Sequence, residues 1–169
     1  MHASICAWLT EVRQMLPQYF SKGCRVVEFG SRDVNGSVRP WFTLPEQYVG
    51  IDCYAGPCVD VVGLAHEYEP ERAEFDVVIS TELLEHDPHW KKTLNHAADL
   101  LRPGGLLLLT CAAPPRPEHN HDDSPTPGYY ENRSVEDVKG QLTSHCEWDE
   151  LKVWYERRGL DLHCMGIKR

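Results

Sequence analysis

Apolar positions along the chain repeat with two periods. Over residues 3 to 19, Ile5, Trp8, Leu9, Val12, Met15 and Leu16 recur at i, i+3, i+4 and i+7, which predicts an amphipathic N-terminal helix closed by Pro17 and Gly23. Its apolar stripe must cover either a sheet or a ligand. The run 25–29 is short and rich in β-branched residues, and it breaks at Glu28 and Gly30. That pattern predicts a buried strand ending in a tight turn, where a ligand can approach bare backbone. Further strands are predicted at 48–52, ending in Asp52, at 59–62, at 75–80 and at 105–112, the last continuous and apolar as a central strand is. Pro40 and Pro45 leave room for only a short helix at 37–42, with Trp41 and Phe42 packing inward. Residues 54–57 read as a turn, and His66 with Glu67 as a solvated loop.

The segment after the fourth strand reads Thr81-Glu82-Leu83-Leu84-Glu85-His86-Asp87-Pro88-His89. Asp87 as cap and Pro88 in the first turn begin a helix with Trp90, Leu94, Ala97, Ala98 and Leu101 on one face, and Gly104 stops it. Residues 113–133 carry five prolines, two histidines, several acids and the pair Tyr129-Tyr130 without periodicity. So long a loop is commonly functional, and its place after the fifth strand makes it a candidate substrate cover. Ser134 and Asp137 resemble a capping box for a helix to about residue 144. Two alternating runs follow, Leu151, Val153, Tyr155 and Leu160, Leu162, Cys164, around Arg157-Arg158-Gly159. They predict an antiparallel hairpin at the sheet edge, with a helix over 148–158 as the rival reading.

A chain of 169 residues that is 41% apolar suits one domain with one core. The formal charge of −9 and a pI near 5.4 disfavour generic binding to phosphate backbones, while leaving local basic patches open. No apolar run approaches the length of a membrane span and the start lacks a signal-peptide pattern, so the expectation is a cytoplasmic protein with no membrane partner. Seven scattered cysteines, among them Cys24, Cys111 and Cys164 in strand-like runs, read as reduced core thiols. Cys53 and Cys58 lack a second pair to complete a zinc site, and read as structural. Oligomeric state is left open.

The turn after residue 29 decides between cofactors. A dinucleotide fold needs G-x-G-x-x-G to press backbone against a pyrophosphate, whereas here Gly30 and Gly36 are separated by five residues, Asp33 among them. S-adenosylmethionine has no phosphate, and its sulfonium and ammonium groups suit nearby acids such as Glu28 and Asp33. With Glu28-Phe29-Gly30, Asp52, the run 75–80 and Leu101-Arg102-Pro103-Gly104-Gly105 in this order, the chain resembles the class I S-adenosylmethionine-dependent methyltransferases over nearly its whole length. The resemblance implies an α/β fold: a Rossmann-like three-layer α/β/α sandwich with a mostly parallel seven-stranded sheet and an antiparallel C-terminal hairpin, in a single domain over 1–169. It implies Glu28 under the methionine ammonium, Asp52 on the ribose hydroxyls, backbone of Gly30 and Ser31 along the sulfonium side, and Ser80 at the end of the fourth strand. Many relatives carry an acid for the adenine amino group where this chain has Leu64, which leaves the Ala65 amide for that contact.

Glu82-x-x-Glu85-His86 is similar to the metal-binding E-x-x-E-H of the eukaryotic small-RNA 2′-O-methyltransferases and of the ubiquinone-pathway O-methyltransferases. That likeness implies Mg²⁺ or another divalent cation on Glu82, Glu85 and His86, with His119 or His121 from the loop as a further ligand. The competing reading has the acid and the histidine cap the following helix, as in methyltransferases without metal. His86, His89, His119 and His121 are also the candidates for a general base, His86 first and His121 second; alignment alone can also carry methyl transfer. Tyr129 and Tyr130 either stack on a planar substrate or anchor the loop. The chain lacks the Asp/Asn-Pro-Pro-Tyr/Phe segment of amino methyltransferases and the Pro-Cys of C5-cytosine enzymes, so the expected acceptor is an oxygen or a small-molecule amine. Three functions follow: methylation of a small or medium-sized acceptor at oxygen, metal-assisted 2′-O-methylation of an RNA end, or a catalytically silent S-adenosylmethionine-binding module.

Overall fold

Strand runs too short to bury both faces alone are joined into one sheet. The computed structural model describes residues 3–72, 74–120, 128–157 and 159–169. Its strands are β1 Arg25–Phe29, β2 Gln47–Asp52, β3 Val61–Val62, β4 Phe75–Thr81, β5 Leu101–Ala112, β6 Trp148–Tyr155 and β7 Asp161–Lys168, in the spatial order β3-β2-β1-β4-β5-β7-β6. Neighbours from β3 to β5 pair in parallel, and only β7 runs against the rest, pairing antiparallel with β5 and β6. The C-terminal hairpin therefore forms as predicted, and the rival helix over 148–158 does not.

Side chains that alternate along each strand build two cores. On one face, Val26, Val77, Ile79, Leu106, Leu108 and Met165 meet Ile5, Trp8, Leu9 and Val12 of helix α1, Ala3–Met15. On the other, Val27, Val78, Leu107, Leu109 and Cys164 meet helices α2, Trp90–Leu100, and α3, Val135–His145. This is the expected three-layer sandwich, and α1 lies across the sheet.

Several boundaries moved for local reasons. α1 ends at Met15 rather than 19 because Pro17 lacks an amide proton and pushes Leu16 out of helical geometry, giving a 3-10 turn Pro17–Phe20; Met15 is left 62% exposed. The third strand shrinks to two exposed valines at the sheet edge. Helix α2 begins two residues beyond Pro88 and stops before Gly104: Pro103 holds Arg102 extended, so Leu101 already pairs with Phe75, and Gly104, at φ 72°, turns the chain where the register shifts. Asp87 still organises that start, accepting from the His89 amide at 2.7 Å and from the Thr93 hydroxyl. Ser134 caps α3 by accepting from the Asp137 amide at 3.1 Å. His66 is not solvated: it sits in a 3-10 turn, Ala65–Glu67, with its side chain 9% exposed and its ring 4.9 Å from that of His89.

Candidate active site

Parallel strands that end together leave a crevice beyond their carboxyl ends. There the chain forms a cleft of about 480 Å³, with Glu28, Gly30, Ser31 and Asp52 at one end and Glu82, His86, Arg116 and His119 at the other. The turn after β1 is made by two amides, of Gly30 and Ser31, which donate to the Ile51 carbonyl at 2.8 and 3.1 Å. Gly30 has φ 75°, and a Cβ there would lie 3.1 Å from Leu83 Cβ, so the turn requires glycine and rests on the exit of β4. Between β1 and β2 the chain makes only a 3-10 turn, Arg39–Trp41. Among the described residues no α-helix therefore follows the turn to set its N-terminus there, as the usual cradle for a diphosphate does.

The two acids of this end are held differently. Asp52 accepts from the Arg32 amide through Oδ2 at 3.1 Å and from the Tyr54 amide through Oδ1 at 2.9 Å. Both of its oxygens are thereby oriented while keeping lone pairs for a diol. Glu28 is 3% exposed and accepts from the Tyr48 hydroxyl at 2.6 Å; burial pushes its pKa up to about 7, with that hydrogen bond acting in opposition. Ser31 is buried and its hydroxyl has no hydrogen-bond partner among the described residues. Ala65 and Ser80 do not line the cleft. Ala65 packs against the core from its 3-10 turn, and Ser80 is enclosed in the sheet between Phe29 and Leu109. Cys53 and Tyr54 form the wall beside Asp52, with the Arg32 guanidinium 5.1 Å over the Tyr54 ring.

At the far end, Glu82 has φ 56°, a backbone state costly for a residue with a side chain. The strain is held by its amide donating to the Thr110 carbonyl at 2.9 Å and by its carboxylate, which accepts from Thr110 Oγ1 at 3.0 Å and Arg116 Nη1 at 3.3 Å. Arg116 also pairs with Asp161 on β7. Glu82 is thus committed toward β5 and β7 rather than to the group of metal-type donors its spacing suggested. Those donors are Glu85, His86 and His119, whose ligand atoms all lie within 4.8 Å of one another.

Glu85 is fully buried, and neither of its oxygens has a hydrogen-bond partner of good geometry among the described residues. Burial first, and the charge of Glu82 second, push its pKa up; burial and the Asp161 charge do the same to Glu82. The His86 and His119 rings meet edge to face at 5.2 Å, and both lie against Tyr130. His121 lies outside the described residues, and His89 is turned toward His66, away from the cleft.

After β5, residues 129–133 are strapped over this cluster. Glu131 donates its amide to the Glu85 carbonyl at 2.8 Å, and Arg133 sends Nε to the Leu84 carbonyl at 3.0 Å with its guanidinium 4.8 Å from the Trp90 ring. Tyr130 bonds Asn132, which in turn reaches the Arg116 carbonyl. Tyr130 therefore anchors the loop, while Tyr129 lines the cleft and is 41% exposed. Sequence reasoning missed Arg116 and Tyr48. Arg116 stands between two prolines like any loop cation, and Tyr48 looks like an ordinary strand residue.

A family described as a methyltransferase domain matches residues 2–165. Against curated protein sequences the chain finds no significant match. Among solved structures it is similar to 1,6-didemethyltoxoflavin-N1-methyltransferase of Burkholderia thailandensis, bound to 1,6-didemethyltoxoflavin and S-adenosylhomocysteine, with TM-score 0.70 and 17% identity over 98% of this chain and 78% of that one. An S-adenosylmethionine-dependent methyltransferase of Mesorhizobium loti superposes with TM-score 0.68 and 15% identity, covering 94% of this chain and 96% of that one. A phosphoethanolamine N-methyltransferase of Haemonchus contortus gives TM-score 0.66 and 15% identity over 94% and 52%. At such identities these likenesses establish the fold.

Proposed function

The chain belongs to the class I S-adenosylmethionine-dependent methyltransferases, and from that premise we propose that it methylates a hydroxyl oxygen of a small or medium-sized acceptor beside Glu85, His86 and His119. The cofactor supplies an electrophilic methyl group on a sulfonium. The cleft suits it: about 480 Å³ falls in the range of small-ligand sites, Asp52 offers two oriented oxygens to a diol, and Glu28 offers a carboxylate to an ammonium group. Gly30 and Ser31 line the same wall with backbone.

The convergence of Glu85, His86 and His119 is the observation that carries the acceptor side. A buried carboxylate without a well-formed hydrogen bond is costly, and a cation shared with two imidazoles would relieve it. These residues would hold a divalent ion; with two nitrogen donors the set suits Mn²⁺, Fe²⁺ or Zn²⁺ better than the Mg²⁺ expected from the motif. Such an ion would lower the pKa of a bound hydroxyl. His86 lines the cleft, and where no ion is bound its imidazole offers a proton acceptor to the hydroxyl. Tyr129 offers a ring to a planar acceptor.

The donor set also favours a ribose 2′-hydroxyl at an RNA end, which the charge of −9 opposes. The seven free cysteines suit a reducing compartment, the cytoplasm, and no helix among the described residues is long and apolar enough to cross a membrane. Calorimetry with S-adenosylhomocysteine, followed by methyl transfer to a panel of phenols, alcohols, amines and short RNAs with and without EDTA, tests the proposal. Binding with EDTA-sensitive transfer to hydroxyls is expected. Transfer to amines alone, or binding without any transfer, overturns the oxygen assignment, and indifference to EDTA removes the ion.

A further inference from the structure

Tyr48 stands on β2 with Phe42 edge-on at 5.6 Å and the Arg39 guanidinium 4.5 Å over its ring. Its hydroxyl donates to Glu28 Oε2 at 2.6 Å. No other hydrogen bond to that carboxylate is found among the described residues, and Glu28 forms part of the cleft wall. Arg39 is in turn pinned by Asp60 and the Cys58 carbonyl, and Asp60 also accepts from the Gly50 amide at 2.7 Å. A chain of contacts thus runs from Asp60 at the sheet edge, through Arg39 and Tyr48, to a carboxylate in the cleft.

We infer that Tyr48, backed by Arg39, is a positioning residue that orients Glu28 and keeps it anionic for the ammonium group of the cofactor. The inference rests on the cleft being the S-adenosylmethionine site. A carboxylate at 3% exposure has lost most of its hydration, and the anion survives only if something in the protein replaces it. The groups facing Glu28 divide by sign. Tyr48 from β2 and Arg39 from its 3-10 turn favour the anion; Asp60, ahead of β3, and Asp33, in the loop after β1, oppose it. A phenol bonded to a carboxylate at 2.6 Å is a strong, charge-assisted donor, and the cation over its ring adds to its polarity. Glu28 sits near 7, so small changes in this balance decide its charge at neutral pH.

The direction follows. A ligand ammonium prefers the ionised carboxylate, so affinity falls as pH drops through about 7, by up to about tenfold at pH 6, where about one site in ten is still anionic. Removing the Tyr48 hydroxyl raises the Glu28 pKa and shifts that fall to higher pH.

The test is calorimetry from pH 6 to 8.5 on the wild type, Tyr48→Phe and Glu28→Gln with two probes. S-adenosylhomocysteine carries the amino-acid end, and 5′-methylthioadenosine lacks it. Tyr48→Phe is expected to weaken S-adenosylhomocysteine about tenfold at pH 7, with recovery toward pH 8.5, and to leave 5′-methylthioadenosine unchanged. Glu28→Gln is expected to be weak and flat with pH for the first probe and normal for the second. An unshifted profile in Tyr48→Phe, or equal weakening of both probes, overturns the inference. If Tyr48→Phe does not fold, a wild-type profile without an inflection near neutrality, or one that Glu28→Gln retains, overturns it equally. Failure of the wild type to bind S-adenosylhomocysteine at any pH would instead remove the cofactor reading.

Discussion

Replacing Arg133 by methionine is expected to unfasten the loop over the acceptor end of the cleft. The side chain is 3% exposed, and the amide of the same residue, which survives the change, holds the Ala112 carbonyl at 2.9 Å. What is lost is the guanidinium. Its Nε bond to the Leu84 carbonyl leaves a buried acceptor unsatisfied, about 1–3 kcal/mol. Its stacking on Trp90 at 4.8 Å contributes about 0.5–2 kcal/mol. The pair with Glu131, whose side chain is 62% exposed, adds about 0–1 kcal/mol, and the 3.4 Å approach to the Asp87 carbonyl counts for little. Against this, methionine fills similar space and spares the desolvation of a buried cation. The net is a destabilisation of about 2–3 kcal/mol, or a fall in Tm of roughly 5–10 °C for a chain of this length. Urea unfolding at pH 7 measures it, with Arg133→Lys as the control that keeps the charge but loses the planar fork. A methionine variant within about 0.5 kcal/mol of the wild type would refute the strap.

Asp52→Ala is expected to weaken S-adenosylhomocysteine by about ten- to a hundredfold, since each hydrogen bond from a diol to a carboxylate contributes about 1.5–3 kcal/mol, and unchanged affinity by calorimetry would contradict the role given to Asp52. Gly50→Ala would put a Cβ 2.3 Å from the Cys58 carbonyl oxygen and 2.7 Å from Ser31 Oγ. A loss of about 1–3 kcal/mol in urea unfolding is expected, and a neutral result would mean that the backbone there yields freely. His163, buried between Trp8 and Trp154, has its pKa lowered by burial, against the pull of Asp161 and Glu156. The unfolded chain therefore binds a proton near the usual imidazole pKa of about 6.5 while the folded chain refuses it, so stability present above that pH is lost as pH falls below it. His163→Phe should flatten the decline in Tm between pH 7.5 and 5.5, and an unchanged slope would assign the decline to other groups.

Much of the architecture could be read from local pattern. The β-branched runs, the period-3.6 stripe of α1, the Ser134 cap and the alternating tail each state a preference that short-range sterics and burial enforce wherever the segment ends up. Where local rules competed, the prediction slipped by a few residues: Pro17 overruled the apolar stripe, and Pro103 overruled the helix that seemed to continue to Gly104. The acid at the end of β2 and the glycine after β1 were legible for the same reason, because strand ends in parallel sheets converge.

The sequence alone determined the order of elements, the type of turn after β1 and the pool of acids and histidines at the strand ends. Which members of that pool meet was decided by the assembled sheet. Glu82 and Glu85 are three residues apart and chemically alike, yet Arg116 and Thr110, 34 and 28 residues away, draw one aside, while His119 comes to the other. Tyr48 becomes the partner of Glu28 only because β1 and β2 lie side by side. Spacing along a chain limits where a side chain can be, but a carboxylate turns toward whatever charge or hydrogen-bond donor the fold brings within a few ångströms, and that neighbour comes from a distant part of the chain.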